Sequence, residues 1–203
     1  MSTSLSADLW PDVQPEAARR LMLAAVEAFA TRGYHATTTR DIAGAAGMSP
    51  AALYVHFPSK AALLFAISQS GHEQALALVE TVIDRQGSAR ETLRRIVEEF
   101  VAWHARRHTV ARVVQYELQS LPEREYAVVA DLRRRIEHLV RDVIAKGVDE
   151  GVFAVADLHT AATAVLSLGV DVARWYSDRA GKTPEALGRE YADLVLRMVG
   201  APA

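Results

Sequence analysis

The stretch "MSPAALYVHFPSK", residues 48–60, decides the fold, because it reads as a complete short helix with a signal at each end. The Ser49 side chain can accept a hydrogen bond from a free N–H group of the first turn, and Pro50 suits that turn because it needs no N–H partner there. Pro58 ends the helix by Phe57, since the residue before a proline avoids the α region.

The composition of this short helix suits the major groove of DNA. Its leading residues are small, so its backbone can approach base edges closely. Tyr54 and His56 follow near its trailing end, where a hydroxyl and an imidazole can reach phosphate oxygens. Lys60 lies in the first turn of the next helix, so its ammonium can join that helix's free N–H groups at a phosphate. Taken alone, Lys60 would equally fit an ordinary surface lysine.

A longer helix precedes the quoted stretch. Leu21, Ala25 and Phe29 recur every four positions from Pro15 onward, and Gly33 provides a C-terminal stop. This period predicts an amphipathic first helix.

A second short helix is predicted between the first helix and the quoted stretch. Thr38 and Asp41 have the spacing of a capping box, and Gly47 closes the helix. Two short helices joined by a glycine-containing turn and packed on a third match the helix-turn-helix plan, whose second helix enters the major groove.

The rest of the chain also predicts helices and no strand, because no segment alternates at period two. Ser59 caps a long helix that continues to about Ile83. We therefore expect an all-α protein of about nine helices, divided into a flexible tail over 1–14, a helix-turn-helix domain over 15–60 and a helical bundle over 61–203. Within the bundle, further helices are predicted over Ser88–Arg107, Val110–Leu121, Pro122–Glu150, Asp157–Ser177 and Pro184–Val199.

The amino-acid composition and the N-terminal sequence argue against several classes of protein and of site. Lys and Arg together number 23 against 25 for Asp and Glu, so global charge indicates neither a nucleic-acid binder nor a membrane-surface protein. The absence of cysteine excludes disulfides, thiolate metal sites and thiol nucleophiles. The N-terminus shows no basic leader with an apolar core, and no stretch reaches the length of a membrane span. We expect a cytoplasmic protein that makes no membrane contact.

Residues 19–64, "RRLMLAAVEAFATRGYHATTTRDIAGAAGMSPAALYVHFPSKAALL", resemble the N-terminal domain of TetR-type transcriptional regulators. The resemblance rests on "AAxxxFxxxGY", "TTxxDIA", "AAG" and "LYxHFxSKxxL". It implies that the helix beginning near Ser49 is the recognition helix. With Thr38, the predicted cap of the second helix, it gives these candidate DNA-binding residues: Thr38, Thr39, Arg40, Ser49, Pro50, Ala51, Tyr54, His56 and Lys60. Small residues make few hydrogen bonds to bases, so direct readout would depend on Arg40 and on apolar contact with thymine methyl groups.

The lack of net positive charge in residues 1–60 favours a dimer over a monomer as the form that binds DNA. Residues 1–60 hold five basic and five acidic side chains, and each phosphate contact adds only a modest, salt-screened free energy. A symmetric pair would place two recognition helices about 34–36 Å apart on a palindromic operator. Broad apolar faces over 161–172 and 191–199 are the expected dimer surface, as the TetR resemblance also implies. The alternative for both faces is the core of a single chain.

The bundle is expected to bind a small, largely apolar effector that releases a repressor from its operator. Aromatic bodies with few polar tips favour such a ligand. The stretch 174–196, "RWYSDRAGKTPEALGREYADLVL", resembles the end of TetR-type repressors that respond to acyl-CoA thioesters, which implies an acyl-CoA effector whose phosphates meet arginines. The candidate ligand-binding residues are Trp103, His104, Tyr116, Gln119, Arg174 and Trp175.

Two other function classes stay open from the sequence. His104 and His108 in "HARRH" stand four apart and could hold a metal in an enzyme, but Ala follows the first His where a metalloprotease has Glu, and no third ligand is apparent. Histidines beside an arginine pair are more often solvent-facing. A structural dimer without DNA binding is the other alternative. We expect no enzyme activity and no cofactor.

Overall fold

The structure is a computed structural model that describes residues 9–177, 179 and 181–202, and within them it contains nine α-helices and no strand. The predicted all-α class and helix number are therefore confirmed. A single 3₁₀ turn, Leu118–Ser120, follows the sixth helix. The helices are α1 Glu16–Arg32, α2 Thr39–Ala45, α3 Pro50–His56, α4 Lys60–Asp84, α5 Ala89–Arg106, α6 His108–Glu117, α7 Glu123–Asp149, α8 Leu158–Trp175 and α9 Pro184–Met198.

Several of the predicted helix starts coincide with side-chain caps. Thr38 and Asp41 form a capping box at α2, and Ser88 forms another with Glu91 at α5. The Ser49 hydroxyl oxygen accepts a hydrogen bond from the Ala52 N–H group at 3.2 Å. These caps satisfy N–H groups that a helix leaves unpaired at its start.

A first apolar cluster holds the helix-turn-helix unit together. It contains buried side chains of α1, α2 and α3 and the first turns of α4. It also contains Val110, Val113 and Val114 of α6 and Val129 of α7. Helix α6 packs against α1 and adds its valines to this cluster, so residues on both sides of residue 60 share one core, and the predicted domain boundary there stays a prediction.

A second apolar cluster fills the bundle and joins α4, α5, α7, α8 and α9. Helices α5 and α9 pack tightly where Gly188 faces the backbone of Glu98. A Cβ atom at residue 188 would lie 2.4 Å from the Glu98 carbonyl oxygen. Only glycine fits at this crossing.

Helix α4 belongs to both clusters. Leu63, Leu64 and Ile67 lie in the first cluster, while Leu76 and Val79 lie in the second. A displacement of one cluster would therefore also move the part of α4 that lies in the other cluster. No single helix of the described residues is long and apolar enough to cross a bilayer; only α3 and α4 together, across a bend of 49°, reach that length and composition.

Residues 9 and 10 are placed differently from the flexible tail that the sequence predicted over 1–14. Leu9 and Trp10 are 6% and 3% exposed and belong to the first cluster. The Arg19 Nε–H group donates a hydrogen bond to the Leu9 carbonyl at 3.1 Å. Burial of the Trp10 indole ring stabilises this position of residues 9 and 10. The Ser- and Asp-rich composition of the N-terminus did not predict it. Residues 1–8 lie outside the described part of the chain.

Candidate nucleic-acid interface

Helix α3 lies on the surface and is anchored by one side chain. Leu53 is fully buried in the first cluster, while the opposite face of the helix is exposed. Val55, which the sequence analysis missed, is the most exposed large apolar side chain at 80%. It lies four residues after Ala51, so helical spacing alone could have placed it on the same face. The exposed residues of this face are Ser49, Pro50, Ala51, Tyr54 and Val55.

The turn between α2 and α3 requires a glycine. Gly47 has φ of +68°, a left-handed conformation that other residues adopt at a cost. The Met48 N–H group donates to the Ala43 carbonyl at 2.8 Å, and the Arg20 guanidinium of α1 donates to the Ala46 carbonyl. These bonds hold α3 at a fixed angle to α2.

The start of α2 faces α3 with several of the predicted DNA-binding residues. The Thr39 Oγ1 and Tyr54 Oη atoms lie 3.1 Å apart and form a hydrogen bond between the two helices. Thr38 is occupied as the cap of α2, and its hydrogen bonds are the main cause of the lowered pKa of the Asp41 carboxyl. Arg40 is exposed, and its guanidinium forms no hydrogen bond or ion pair within the described residues.

Lys60 is placed differently from expectation. Its Nζ atom donates hydrogen bonds to the carbonyl oxygens of Tyr34 at 2.6 Å, Thr37 at 2.8 Å and His35 at 3.4 Å. The same atom lies 4.3 Å from the centroid of the Tyr34 ring. In the DNA-free chain its ammonium therefore closes the loop between α1 and α2, and the predicted phosphate contact stays a prediction.

We expect replacement of Lys60 by methionine to lower the free energy of unfolding by about 2 kcal/mol, because three carbonyls lose a charged donor. The matched control is Lys182→Met, which removes an exposed ion pair with Glu190 and should cost less than about 1 kcal/mol. Urea unfolding of both variants without DNA measures the difference. Equal stabilities would show that the Lys60 ammonium does not fix the loop.

Two polar contacts connect the helix-turn-helix unit with the end of α6. The Tyr34 N–H group donates to a carboxylate oxygen of Glu117 at 3.2 Å, and the burial of Tyr34, with this carboxylate nearby, raises the pKa of its phenol. Ser120 Oγ lies 3.4 Å from His35 Nε2. The loop that Lys60 closes is therefore also attached to α6.

The structure does not bring the six predicted ligand-binding residues together. Trp103 and His104 lie inside the bundle on α5, where their rings are in contact. Tyr116 is 60% exposed and Gln119 is also exposed. The other two candidates, Arg174 and Trp175, lie on the outer surface of α8. Arg174 and Trp175 of the "RWY" motif therefore face outward, whereas its third residue, Tyr176, is buried in the second cluster.

His104 is buried, which contradicts the expectation that both histidines of "HARRH" face solvent. It is 6% exposed, and its Nδ1 atom is 2.9 Å from the Phe100 carbonyl. The Nδ1 atom of His108 pairs with the Ala105 carbonyl at 3.0 Å. No group of three or more metal-ligating side chains occurs among the described residues, so the geometry gives the metal-site alternative no support.

Burial, as the main cause, lowers the pKa of His104 to about 4. The unfolded chain, with a histidine pKa of about 6.5, binds a proton that the fold excludes, so the free energy of unfolding falls as the pH decreases below about 6.5. At pH 5 we expect His104 to contribute a loss of about 2 kcal/mol relative to pH 7, and His104→Gln should remove that contribution. The control His159→Gln, at an exposed histidine, should retain the loss. Urea unfolding at both pH values measures it, and an equal pH dependence in the two variants would contradict the buried neutral imidazole.

Helices α8 and α9 carry an exposed apolar face, which we call the α8–α9 face. Leu168 and Trp175 of α8 are 40% and 43% exposed, and Leu194 and Met198 of α9 are 51% and 44% exposed. Other apolar residues of these helices, such as Leu196, are buried in the second cluster. One side of these helices therefore belongs to the core of the single chain, and the use of the other side as a dimer surface stays a prediction.

Comparison with known proteins gives matches over most of the chain. Residues 17–67 match the family "Bacterial regulatory proteins, tetR family", and residues 86–199 match "Tetracyclin repressor-like, C-terminal domain". A bacterial regulatory protein in the tetR family from Rhodococcus RHA1, whose crystal structure is known, has 41% sequence identity to this chain. The two structures superpose with a TM-score of 0.89, and the alignment covers 93% of this chain and 100% of that one.

Two further proteins are similar over nearly their whole length. The HTH-type transcriptional repressor KstR2 of Rhodococcus jostii (strain RHA1) is 27% identical over 195 residues, which are 94% of this chain and 96% of that protein. AibR, solved in complex with isovaleryl coenzyme A and operator DNA, is 21% identical with a TM-score of 0.80, covering 92% of this chain and 100% of that one. At this identity the AibR structure shows a shared fold alone.

Proposed function

Because the chain belongs to the TetR family of bacterial regulatory proteins, whose members are transcriptional regulators and not enzymes, we propose that it is a dimeric repressor released from a palindromic operator by a small apolar effector. The observation that carries this proposal is the surface of α3. It is a seven-residue helix, anchored by one buried leucine, with small residues at its exposed start. A function on DNA places the protein in the cytoplasm.

Helix α3 reads the DNA in this proposal. Its leading residues Pro50 and Ala51 approach base edges, and Val55 can add apolar contact with a thymine methyl group. Arg40, whose exposed guanidinium forms no hydrogen bond within the described residues, is the candidate for a hydrogen-bonded base or phosphate contact. Tyr54 and His56 follow at the trailing end and contact phosphates. Ser49 and Thr38 act as caps, and Thr39 positions the Tyr54 hydroxyl.

The α8–α9 face forms the dimer contact. Four large apolar side chains are exposed there. Exposed apolar patches on a folded protein are typical of sites that bind another molecule. The charged pair of Arg174 and Asp171, joined at 2.7 Å, lies on the same helix and would border the contact. Two copies joined in this way would present two α3 helices to one side of a duplex.

An acyl-CoA thioester is the proposed effector. The support is the contact between the Trp103 and His104 rings inside the bundle, the resemblance of the "RWY" segment to repressors that respond to acyl-CoA, and the isovaleryl coenzyme A that the AibR structure holds. The effector must favour a dimer geometry that spaces the two α3 helices wrongly. A differential affinity of about 1–3 kcal/mol would weaken operator binding by about 5–150-fold. Helix α4, which starts beside α3 and enters both clusters, transmits the change.

Two experiments test the proposal. In a gel shift with the DNA upstream of its own gene, the protein should give a site-specific band that weakens steeply with salt, because cations are released from the phosphates. A scaffold or an enzyme would give none. Isothermal titration with medium and long acyl-CoA compounds should measure a heat of binding. If none of these compounds gives a measurable heat, the acyl-CoA assignment is wrong.

A further inference from the structure

A charged residue lies between the two apolar side chains that α8 contributes to the α8–α9 face. Asp171 follows Leu168 by about one helical turn and precedes Trp175 by about another, so the three side chains lie along one side of α8. Leu168 and Trp175 are both exposed in the single chain. A molecule that covers both of these apolar side chains therefore also reaches the Asp171 carboxylate between them.

The Asp171 carboxylate binds the guanidinium of Arg174 through two hydrogen bonds. The Arg174 Nε–H group donates to Oδ1 at 2.7 Å, and an Nη2–H group donates to Oδ2 at 2.9 Å. Hydrogen bonding by Arg174 is the main cause of the lowered pKa of the Asp171 carboxyl, so both members are charged at neutral pH. Their side chains are 50% and 61% exposed, and neither forms another ion pair among the described residues.

The pair lies close to α9, the other helix of the α8–α9 face. Burial, with the Asp171 carboxylate nearby, raises the pKa of the Tyr191 phenol of α9. Tyr191 lies three residues before Leu194, which belongs to the face, so the two share one side of α9. The carboxylate therefore stands beside the apolar side chains of both helices.

The pair has little effect on the single chain but a large one on any contact that covers it. In water, an exposed ion pair contributes little to stability. An apolar surface placed over it would remove water from both charges without replacing the lost hydrogen bonds. The Arg174 Nη1 group and the remaining lone pairs of the Asp171 carboxylate would then need partners. A second copy of α8 carries the complementary groups, because it presents the same carboxylate and the same guanidinium.

Resting on the proposed dimer, we propose that the Asp171–Arg174 pairs of two copies meet across the twofold axis, where each Arg174 also binds the partner's Asp171. Twofold symmetry requires that a contact from the first residue to the second is repeated from the second to the first. Two carboxylates and two guanidiniums thus form one neutral network. This network fixes the register of the two α8 helices and selects the partner chain.

Selection of an identical partner matters for a palindromic operator. Two equal half-sites require two α3 helices of the same sequence. A regulator with a different charge arrangement on its corresponding helix would leave Asp171 or Arg174 covered and unpaired, which disfavours the mixed dimer. The apolar side chains supply contact area, whereas the charged network supplies the choice of partner.

The first test reverses one charge at a time, with Asp171→Arg and Arg174→Asp. Each variant brings like charges together across the axis and should dimerise about 100-fold more weakly than wild type. An equal mixture of the two variants should form heterodimers with nearly the affinity of the wild-type dimer, because opposite charges face each other again. Light scattering after gel filtration gives the dimer affinity, and native mass spectrometry distinguishes the heterodimer from the homodimers by mass.

A double variant, Asp171→Arg with Arg174→Asp, tests the choice of partner with the network restored. It should form homodimers as wild type does and exclude wild-type chains after subunit exchange. The matched control is the pair of single variants Asp131→Arg and Arg134→Asp. They reverse an ion pair of the same spacing, joined at 2.9 Å on α7 and outside the α8–α9 face. Both should dimerise as wild type does, and their mixture should exchange subunits at random.

The results separate this inference from the proposed function. Wild type that is monomeric refutes the proposed dimer. Wild type that is dimeric, with single variants at residues 171 and 174 that dimerise equally well and mix at random, overturns the inference alone. A mixture of these variants that stays monomeric, or a loss of dimer in Asp171→Arg but not in Arg174→Asp, also overturns it, because the two residues then do not face each other. A double variant that exchanges freely with wild type does the same.

Discussion

Replacing Leu194 with glutamate is expected to lower the affinity for a palindromic operator by about a thousandfold, the usual difference between specific and non-specific binding. Leu194 belongs to the α8–α9 face and is 51% exposed, the most of its four residues. A carboxylate placed there would lose its water on dimerisation without gaining a partner, which is costly. The resulting monomer could place only one α3 helix in the major groove, and its weak local charge would leave little specific affinity.

The matched control is Val148→Glu, which changes another exposed apolar residue, 37% exposed at the end of α7 and outside the α8–α9 face. It should remain a dimer with unchanged operator affinity. Light scattering after gel filtration gives the oligomeric state, and fluorescence anisotropy with a labelled operator gives the affinity. A Leu194→Glu protein that stays dimeric would exclude this face as the interface; a monomer with full affinity would show that one α3 helix suffices.

Replacing Gly188 with alanine should lower the free energy of unfolding by about 3 kcal/mol, because a new Cβ atom would collide with backbone rather than with a movable side chain. The Cβ atom would lie 2.4 Å from the Glu98 carbonyl oxygen. Helix α9 must move away from α5, and it takes part of the second cluster with it. Because α9 also carries the α8–α9 face, the same change should weaken the dimer.

Gly71→Ala is the control for this substitution. Gly71 lies within α4, and nothing lies within 4 Å of the position where its Cβ would be. Alanine there should stabilise the protein by about 0.5–1 kcal/mol, because it loses less backbone entropy on folding. Thermal and urea unfolding of both variants measure the contrast. A Gly188→Ala protein as stable as wild type would mean that α5 and α9 do not approach so closely.

Local signals in the sequence predicted the helices well. Thr38, Ser49, Ser59 and Ser88 each cap the helix that they were expected to cap. Such caps depend on residues within four positions of one another, and a single sequence shows them directly. The end of α6 was predicted less accurately. The sequence predicted a helix to Leu121, but α6 ends at Glu117 and a 3₁₀ turn follows.

Contacts between distant residues could not be predicted. Nothing near Trp10 shows that it docks against α1, and nothing near Val110 shows that α6 belongs to the first cluster. The burial of His104 and the engagement of Lys60 with three loop carbonyls also depend on residues more than 20 positions away or on bundle packing. Long-range packing of this kind has no local sequence pattern, whereas the exposed position of Val55 followed from helical spacing and was overlooked.

The measurement that tests the central claim most directly is the stoichiometry and salt dependence of the complex with the DNA upstream of the protein's own gene. We expect a site-specific complex with two chains per palindrome, whose affinity falls steeply between low and physiological salt. Equal, weak binding to the upstream DNA and to an unrelated duplex, or a specific complex that contains a single chain, would contradict the account.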